Sequence, residues 1–385
     1  MLSLAIAVIV SGVSAMVLSQ RTAASNQPHL GPVRIDTDGT LHTAGLIAIP
    51  PSQFWSPEFK QAYRNNIGTA LAIKGGELLQ APSANASKSV WDKYDNELDH
   101  YLLPYLAWDK EHYPVDITDK KMAGVHVGII TPKTGLAAEN RHRILINLHG
   151  GGFSEGRGLV TGELESIPIA SIGGLEVVTV DYREAPYFKF PAATEDVEAV
   201  YQELLKRYKP ESIGIFGTSA GGVLAAQVLV AFHKKGLPRP GAVGIFWAGP
   251  GPFWSPLFSK QGDSTAWIRA LYPTERISGK KTSTAQKSPA DYMAGADAND
   301  PMANPFSSDE ALGNFPSTLF TTGTRAFDMS PVIVAHARLL KLGVDSSLYV
   351  IEGGWHAADL LAVNAPETRD MDTYRARWFK QHLAL

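Results

Sequence analysis

Gly217-Thr218-Ser219-Ala220-Gly221 is a G-x-S-x-G segment set between an apolar run and a helix start. Upstream stands Ser212-Ile213-Gly214-Ile215-Phe216, a strand pattern; downstream, Val223-Leu224-Ala225-Ala226 favours a helix. A strand that turns sharply into a helix strains the corner residue and presents its side chain at the sheet edge. Glycines on either side let the backbone turn and let a substrate approach. The helix N-terminus behind Ser219 favours negative charge developing there. In a chain with 35 glycines the five-letter pattern alone is weak, and its weight comes from the strand before it and the helix after it.

A second motif lies upstream. His149-Gly150-Gly151-Gly152-Phe153 follows the strand pattern Ile144-Leu145-Ile146-Asn147-Leu148. Consecutive glycines leave backbone N–H groups uncovered, which is what a tetrahedral oxyanion requires of its donors. With Tyr182-Arg183-Glu184-Ala185-Pro186 between the two motifs and Trp355-His356 after them, the chain resembles the hormone-sensitive lipase family of α/β-hydrolases. The resemblance covers roughly residues 120–385, and it is loose over the first hundred, where that family has a variable cap. It implies a serine esterase acting on short- to medium-chain carboxylic esters through an acyl-enzyme, with no cofactor. The same constellation serves amidases and lactonases, and a non-catalytic small-molecule binder on this fold is the rival from another class.

Serine alone is a poor nucleophile and needs a base in reach; in this fold the chain order is Ser, acid, His. Among the late histidines, His336 and His382 fall inside helical patterns and read as structural. His356 follows the strand pattern Ser347 to Ile351 through Glu352-Gly353-Gly354-Trp355, a glycine-rich loop at a strand's carboxyl end, and is taken as the base. The acid is less direct. The resemblance puts it just after the strand that ends at Gly323, and counting back from Gly343-Val344 that position holds Ala326. Asp328 lies two residues on. In an extended loop it keeps the same face but is displaced by roughly 6 to 7 Å, so the loop must bend to bring it back. Asp328 is the preferred acid, Glu352 the second choice and a Ser-His dyad the third. The oxyanion donors are assigned to the amides of Gly151, Gly152 and Ala220. His149, Tyr182, Arg183 and Pro186 read as scaffold. Asp181 precedes the serine and so breaks the chain order.

Along the chain, strands and helices alternate from residue 125, which predicts an α/β fold: a doubly wound, mostly parallel sheet with a helical cap. Strand patterns fall at Val125 to Ile130, Glu176 to Val180, Ala242 to Trp247, Pro316 to Thr321 and Ser347 to Ile351. Helical patterns fall at Val197 to Tyr208, which Thr194 can cap, at Ser330 to Leu342 and at Glu367 to Leu383. Further helical pieces, around Pro57 to Leu79 and Ser89 to Leu106, belong to the cap region. The expected organisation is a leader at 1–25, N-terminal strands and cap at 26–120, and a catalytic domain at 121–385. Within that domain 249–310 is an insertion shaping lid and pocket, with Phe54, Trp55, Trp254 and Trp267 divided between lid core and pocket wall.

Composition bounds the rest. The 385 residues carry a net charge of −3 and no cysteine, which excludes disulfides and thiolate metal sites. No basic face argues for nucleic acid, and no HExxH or similar cluster argues for a catalytic metal. The expected partner is a small ester molecule. Leu2 to Leu18 is apolar and uncharged, and Val13-Ser14-Ala15 offers small residues at cleavage spacing. This reads as a secretory signal peptide, hence a secreted or periplasmic protein. A membrane anchor is the rival, at about the lower limit of length for spanning.

Overall fold

The computed structural model describes residues 33–35, 41–43, 50–71, 82, 86–251 and 292–385. The leader reading at 1–25, and Trp254 and Trp267, lie outside the described residues, as does most of the 249–310 insertion. Within the compact unit Met1–Pro51, β1 (Val33–Ile35) pairs antiparallel with β2 (Leu41–Thr43).

The unit Ser52–Leu385 is built on a sheet of eight strands. In chain order they are β3 (Val115–Met122), β4 (Val125–Pro132), β5 (Ile144–Leu148), β6 (Glu176–Asp181), β7 (Ile213–Thr218), β8 (Ala242–Phe246), β9 (Ser317–Gly323) and β10 (Ser346–Ile351). Across the sheet they run β10-β9-β8-β7-β5-β6-β4-β3. All neighbours from β10 to β6 are parallel; β4 alone runs against them, and β3, antiparallel to β4, returns to the common direction. The helices are α1 (Pro57–Leu71), α2 (Lys88–His112), α3 (Val160–Gly173), α4 (Ala192–Leu204), α5 (Ala220–Lys234), α6 (Asp309–Gly313), α7 (Met329–Lys341), α8 (Ala358–Leu361) and α9 (Pro366–His382).

Strand periodicity divides the core in two. Ile144, Ile146 and Leu148 of β5 pack with α4, α5 and α7 on one face, while Leu145 faces the layer of α1, α2, α3 and α9. The same alternation separates Ile213 and Ile215 from Phe216 in β7, and Val243 and Ile245 from Ala242 and Phe246 in β8. Central strands covered on both faces are almost continuously apolar, which is why β5, β7 and β8 read so clearly from sequence. The expected α/β-hydrolase architecture, a mostly parallel sheet with helices on both faces, is what forms.

Three details differ from the sequence reading. β3 went unseen because its sequence, VDITDKKM, is polar; as the outermost strand it buries only its two ends. Thr194 does not cap α4: the helix begins at Ala192, so Thr194 lies buried in its first turn without a capping bond. The helix expected at Ser89 to Leu106 runs on through Pro104 to His112.

Candidate active site

Every chemically loaded loop leaves the carboxyl end of a parallel strand, so one edge of the sheet collects them. Ser219 occupies the corner between β7 and α5 with φ 56° and ψ −117°, a left-handed conformation that a non-glycine residue rarely adopts. Its amide is held by the Phe246 carbonyl at 2.8 Å. The flanking glycines serve packing rather than substrate access. A Cβ on Gly221 would stand 1.8 Å from the Leu148 carbonyl oxygen, and one on Gly217 would stand 2.4 Å from the Gly221 backbone. Neither glycine has a positive φ, so bareness is what the turn requires of them.

His356 lies beyond β10, in the turn that follows Ile351, and both its ring nitrogens are engaged. Nε2 is 2.9 Å from Ser219 Oγ and Nδ1 is 2.6 Å from Asp328 Oδ1. Asp328 is fully buried, and its second oxygen accepts the Thr322 hydroxyl at 2.6 Å. The displacement of two residues from Ala326 is cancelled by a bend. Ala326 N donates to Gly323 O at 3.0 Å, and Asp328 is helical (φ −83°, ψ −4°) at the start of α7. The loops after β9 and β10 are also zipped together: Thr324 N donates to Ile351 O at 3.1 Å and Arg325 N to Gly354 O at 3.0 Å. Glu352, the alternative acid, points elsewhere. It is exposed, and its carboxylate accepts the Thr324 hydroxyl at 3.3 Å.

The glycine loop runs alongside the serine. A Cβ on Gly150 would be 3.5 Å from Ser219 Cβ. Gly151 (φ 122°) and Gly152 (φ 62°) take conformations that glycine favours, and a Cβ on Gly151 would collide with the Glu155 carbonyl at 1.8 Å. The Gly150 amide is spoken for, donating to Glu165 Oε1 at 2.8 Å. Among the described residues, the amides of Gly151, Gly152 and Ala220 donate to no protein acceptor. His149 is buried, stacks on Tyr182 at 4.2 Å, and accepts the Tyr182 hydroxyl on its carbonyl at 2.6 Å. Desolvation lowers its imidazole pKa, so it stays neutral and shapes the loop. Arg183 is bound by Asp196 at 2.8 Å, and Asp181 accepts the Gly158 amide at 2.9 Å. Of the other histidines, His336 contacts Ser346 Oγ at 2.8 Å and His382 contacts the Trp378 carbonyl at 2.7 Å.

Sequence reasoning missed several residues here. Glu165 acts through partners 15 and 18 residues away, and Thr322 through Asp328, six residues on across the bend after β9. Phe327 stacks on the His356 ring at 4.2 Å, and Trp247 meets that ring edge-on at 6.3 Å. Glu165 stands two residues after Glu163 at the head of the apolar run Ile167 to Ala170, and no sequence signal separated the two acids. Trp55 is buried, its indole donating to the Glu352 carbonyl, whereas Phe54 is exposed. The cap is tied to the glycine loop through α2: Tyr94 donates to Glu155 at 2.8 Å, and Arg157 pairs with Asp95 at 2.6 Å.

A strand-elbow-helix serine facing an imidazole and a carboxylate on this sheet defines the α/β-hydrolase class. The family model described as alpha/beta hydrolase fold matches residues 145–360, more than half of the 385, and the chain belongs to that family. An acetyl-hydrolase of Streptomyces hygroscopicus is 31% identical over 201 residues, covering 52% of this chain; the chain spans 62% of that relative's length. The crystal structure of an esterase, E25, superimposes with TM-score 0.71 at 25% identity, covering 89% of this chain and 98% of that one. An esterase from the bacterial hormone-sensitive lipase family gives TM-score 0.66 at 24% identity over 86% of this chain and 99% of the other, a likeness of fold. The resemblance drawn from the motifs is borne out.

Proposed function

We propose that the chain is a serine carboxylic-ester hydrolase that works through an acyl-enzyme. The observation that carries this reading is the unbroken series of contacts from Asp328 to His356 to Ser219, at 2.6 Å and 2.9 Å. Within it, His356 Nε2 takes the Ser219 proton as Oγ attacks the ester carbonyl. Asp328 fixes the ring so that Nδ1 carries its proton toward the carboxylate, and it stabilises the imidazolium that forms. The amides of Gly151, Gly152 and Ala220 receive the negative charge on the carbonyl oxygen. The bond to the alkoxy group then breaks, and His356 delivers its proton to that leaving oxygen, releasing the alcohol. Water repeats the steps. Its proton goes to His356, its oxygen bonds to the acyl carbon, and Ser219 leaves reprotonated as the carboxylic acid departs.

Short acyl groups are the proposed substrates, a reading supported by the acetyl-hydrolase relative. Initial rates on p-nitrophenyl esters of increasing chain length, beside the matching acetanilide, test both reaction and size. Hydrolysis of acetate faster than long-chain esters and far faster than the anilide is expected. A preference for the anilide would place the chain among amidases. Residues 1–25 are proposed as an export leader on the strength of the apolar run Leu2 to Leu18, and N-terminal sequencing of exported protein tests this.

A further inference from the structure

Of the buried carboxyls that the acyl-transfer steps leave without a task, Glu165 is the one bonded to the first glycine of the oxyanion loop among the described residues. Glu165, in α3, is 6% exposed. Its Oε1 accepts the Gly150 amide at 2.8 Å and its Oε2 accepts Asn147 Nδ2 at 2.9 Å, while Asn147 Oδ1 accepts the Thr179 hydroxyl at 2.7 Å. One side chain therefore joins the end of β5, through Asn147, to the first glycine of the loop that passes Ser219. Burying an ionisable group here is costly unless its hydrogen bonds are made, and both oxygens make one.

We propose that Glu165 is a positioning residue for the oxyanion loop: by capturing the Gly150 amide it sets the direction in which the Gly151 and Gly152 amides face the acyl carbonyl. The inference rests on the serine-hydrolase reading above. A peptide unit turned inward at Gly150 fixes the starting orientation of the two that follow. Both have glycine dihedrals, with no side chain to hold them otherwise. The peptide units after Gly150 are also braced, by His149 Nδ1 on the Gly150 carbonyl at 2.7 Å and by the Ser154 and Glu155 amides on the Gly151 carbonyl at 3.0 and 2.8 Å, so losing the anchor tilts the loop rather than freeing it.

The setting of Glu165 adds a pH signature. A small cavity beside it is lined by Thr218 of β7, by Asp109 of α2 and Tyr113 just after that helix, by Asp359 of α8, and by Asp372 and Arg375 of α9. From β5 and β6 only the neutral Asn147 and Thr179 belong to its network. Burial pushes the Glu165 carboxyl up to about 8; the bonds from Asn147 and Gly150 and the charge of Arg375 oppose this, while Asp359 adds to it. On ionising it becomes a charged acceptor, which holds an amide more strongly than a neutral one.

The test compares wild type, Glu165→Gln and Ser219→Ala on p-nitrophenyl acetate and on its thiono analogue, whose C=S is a poor hydrogen-bond acceptor. At pH 9.5, where wild-type Glu165 is ionised, the oxoester kcat of folded Glu165→Gln falls by about ten- to a hundredfold below wild type, less than the 10² to 10³ typical of deleting a donor outright, and KM stays within about twofold. The thionoester rate falls less, so the oxo/thiono rate ratio contracts, which a merely structural defect would not produce. In wild type the same ratio rises as pH passes through about 8, because whatever is common to the hydrolysis of both substrates cancels in it. A folded Glu165→Gln with wild-type kcat and ratio overturns the proposal. If that variant does not fold, a wild-type ratio that is flat from pH 6 to 9.5 overturns it instead. Ser219→Ala separates the two failures. If it retains activity the hydrolase reading falls, and if it is inactive while Glu165→Gln is unimpaired only the Glu165 inference falls.

Discussion

Asp328 reaches His356 with one carboxylate oxygen, Oδ1 to Nδ1 at 2.6 Å, while Thr322 pins the other at 2.6 Å. The acid is thus fastened to the end of β9 at the same time as it orients the ring. Asp328→Ala is expected to lower kcat by about 10³ to 10⁴. Thr322→Val leaves the carboxylate in place but loosens it, for a smaller loss of about tenfold, in line with one hydrogen bond. Glu352→Gln should keep full activity. Steady-state kinetics on an activated ester check all three, and a full-speed Asp328→Ala removes that residue from the triad.

Close backbone packing at the elbow makes a second prediction. Gly221→Ala puts a methyl 1.8 Å from the Leu148 carbonyl oxygen, so β5 and α5 must separate. Thermal unfolding should show a loss of about 3 kcal/mol or more, or no folded protein, at the upper end of overpacking costs. Gly313→Ala, where a Cβ meets nothing within 4 Å, serves as the silent control.

Phe327 is the residue that the displaced acid brings with it. Its ring stacks on His356 at 4.2 Å and 29° between planes. Aromatic pairs are worth about 0.5 to 1.5 kcal/mol beyond burial, so Phe327→Ala should lower kcat about two- to tenfold, and Phe327→Tyr should restore it. Equal kcat in Phe327→Ala and wild type would show that Asp328 alone suffices to hold the ring.

Stability should fall in mild alkali. Burial raises the carboxyl of Asp109 from 3.8 to about 8 and that of Glu165 from 4.5 to about 8. Between those limits the folded protein holds protons that the unfolded chain has released. This contribution is therefore complete below about pH 4 and is lost as pH rises through about 8. Tm measured at pH 6 and at pH 9 should decrease, and Asp109→Asn should flatten the slope. An increase in Tm over that interval contradicts the assignment.

What could be read from sequence follows burial and distance along the chain. β8 is apolar throughout, and β5 and β7 nearly so with Asn147 and Thr218 the exceptions, so they announce themselves; β3, polar and at the sheet edge, does not. Ser219 and the glycine loop carry local patterns because a strained corner and bare amides both demand glycine neighbours. His356 was recognisable by its place after a strand. Asp328 required a bend at Gly323 to Ala326 that spacing alone argues against, since an extended loop would carry it out of reach. Glu165 and Thr322 were invisible for a different reason. Glu165 grips Gly150, 15 residues back and on another element, and Thr322 grips Asp328 only because the loop after β9 bends.

The most direct test of the central claim is covalent. Protein treated with a fluorophosphonate is digested and its labelled peptide sequenced by mass spectrometry, with ester hydrolysis followed in parallel. The account predicts one adduct, on Ser219, formed as activity disappears, and neither adduct nor activity in Ser219→Ala. Ester hydrolysis that persists in Ser219→Ala, or an adduct on another residue, would contradict it.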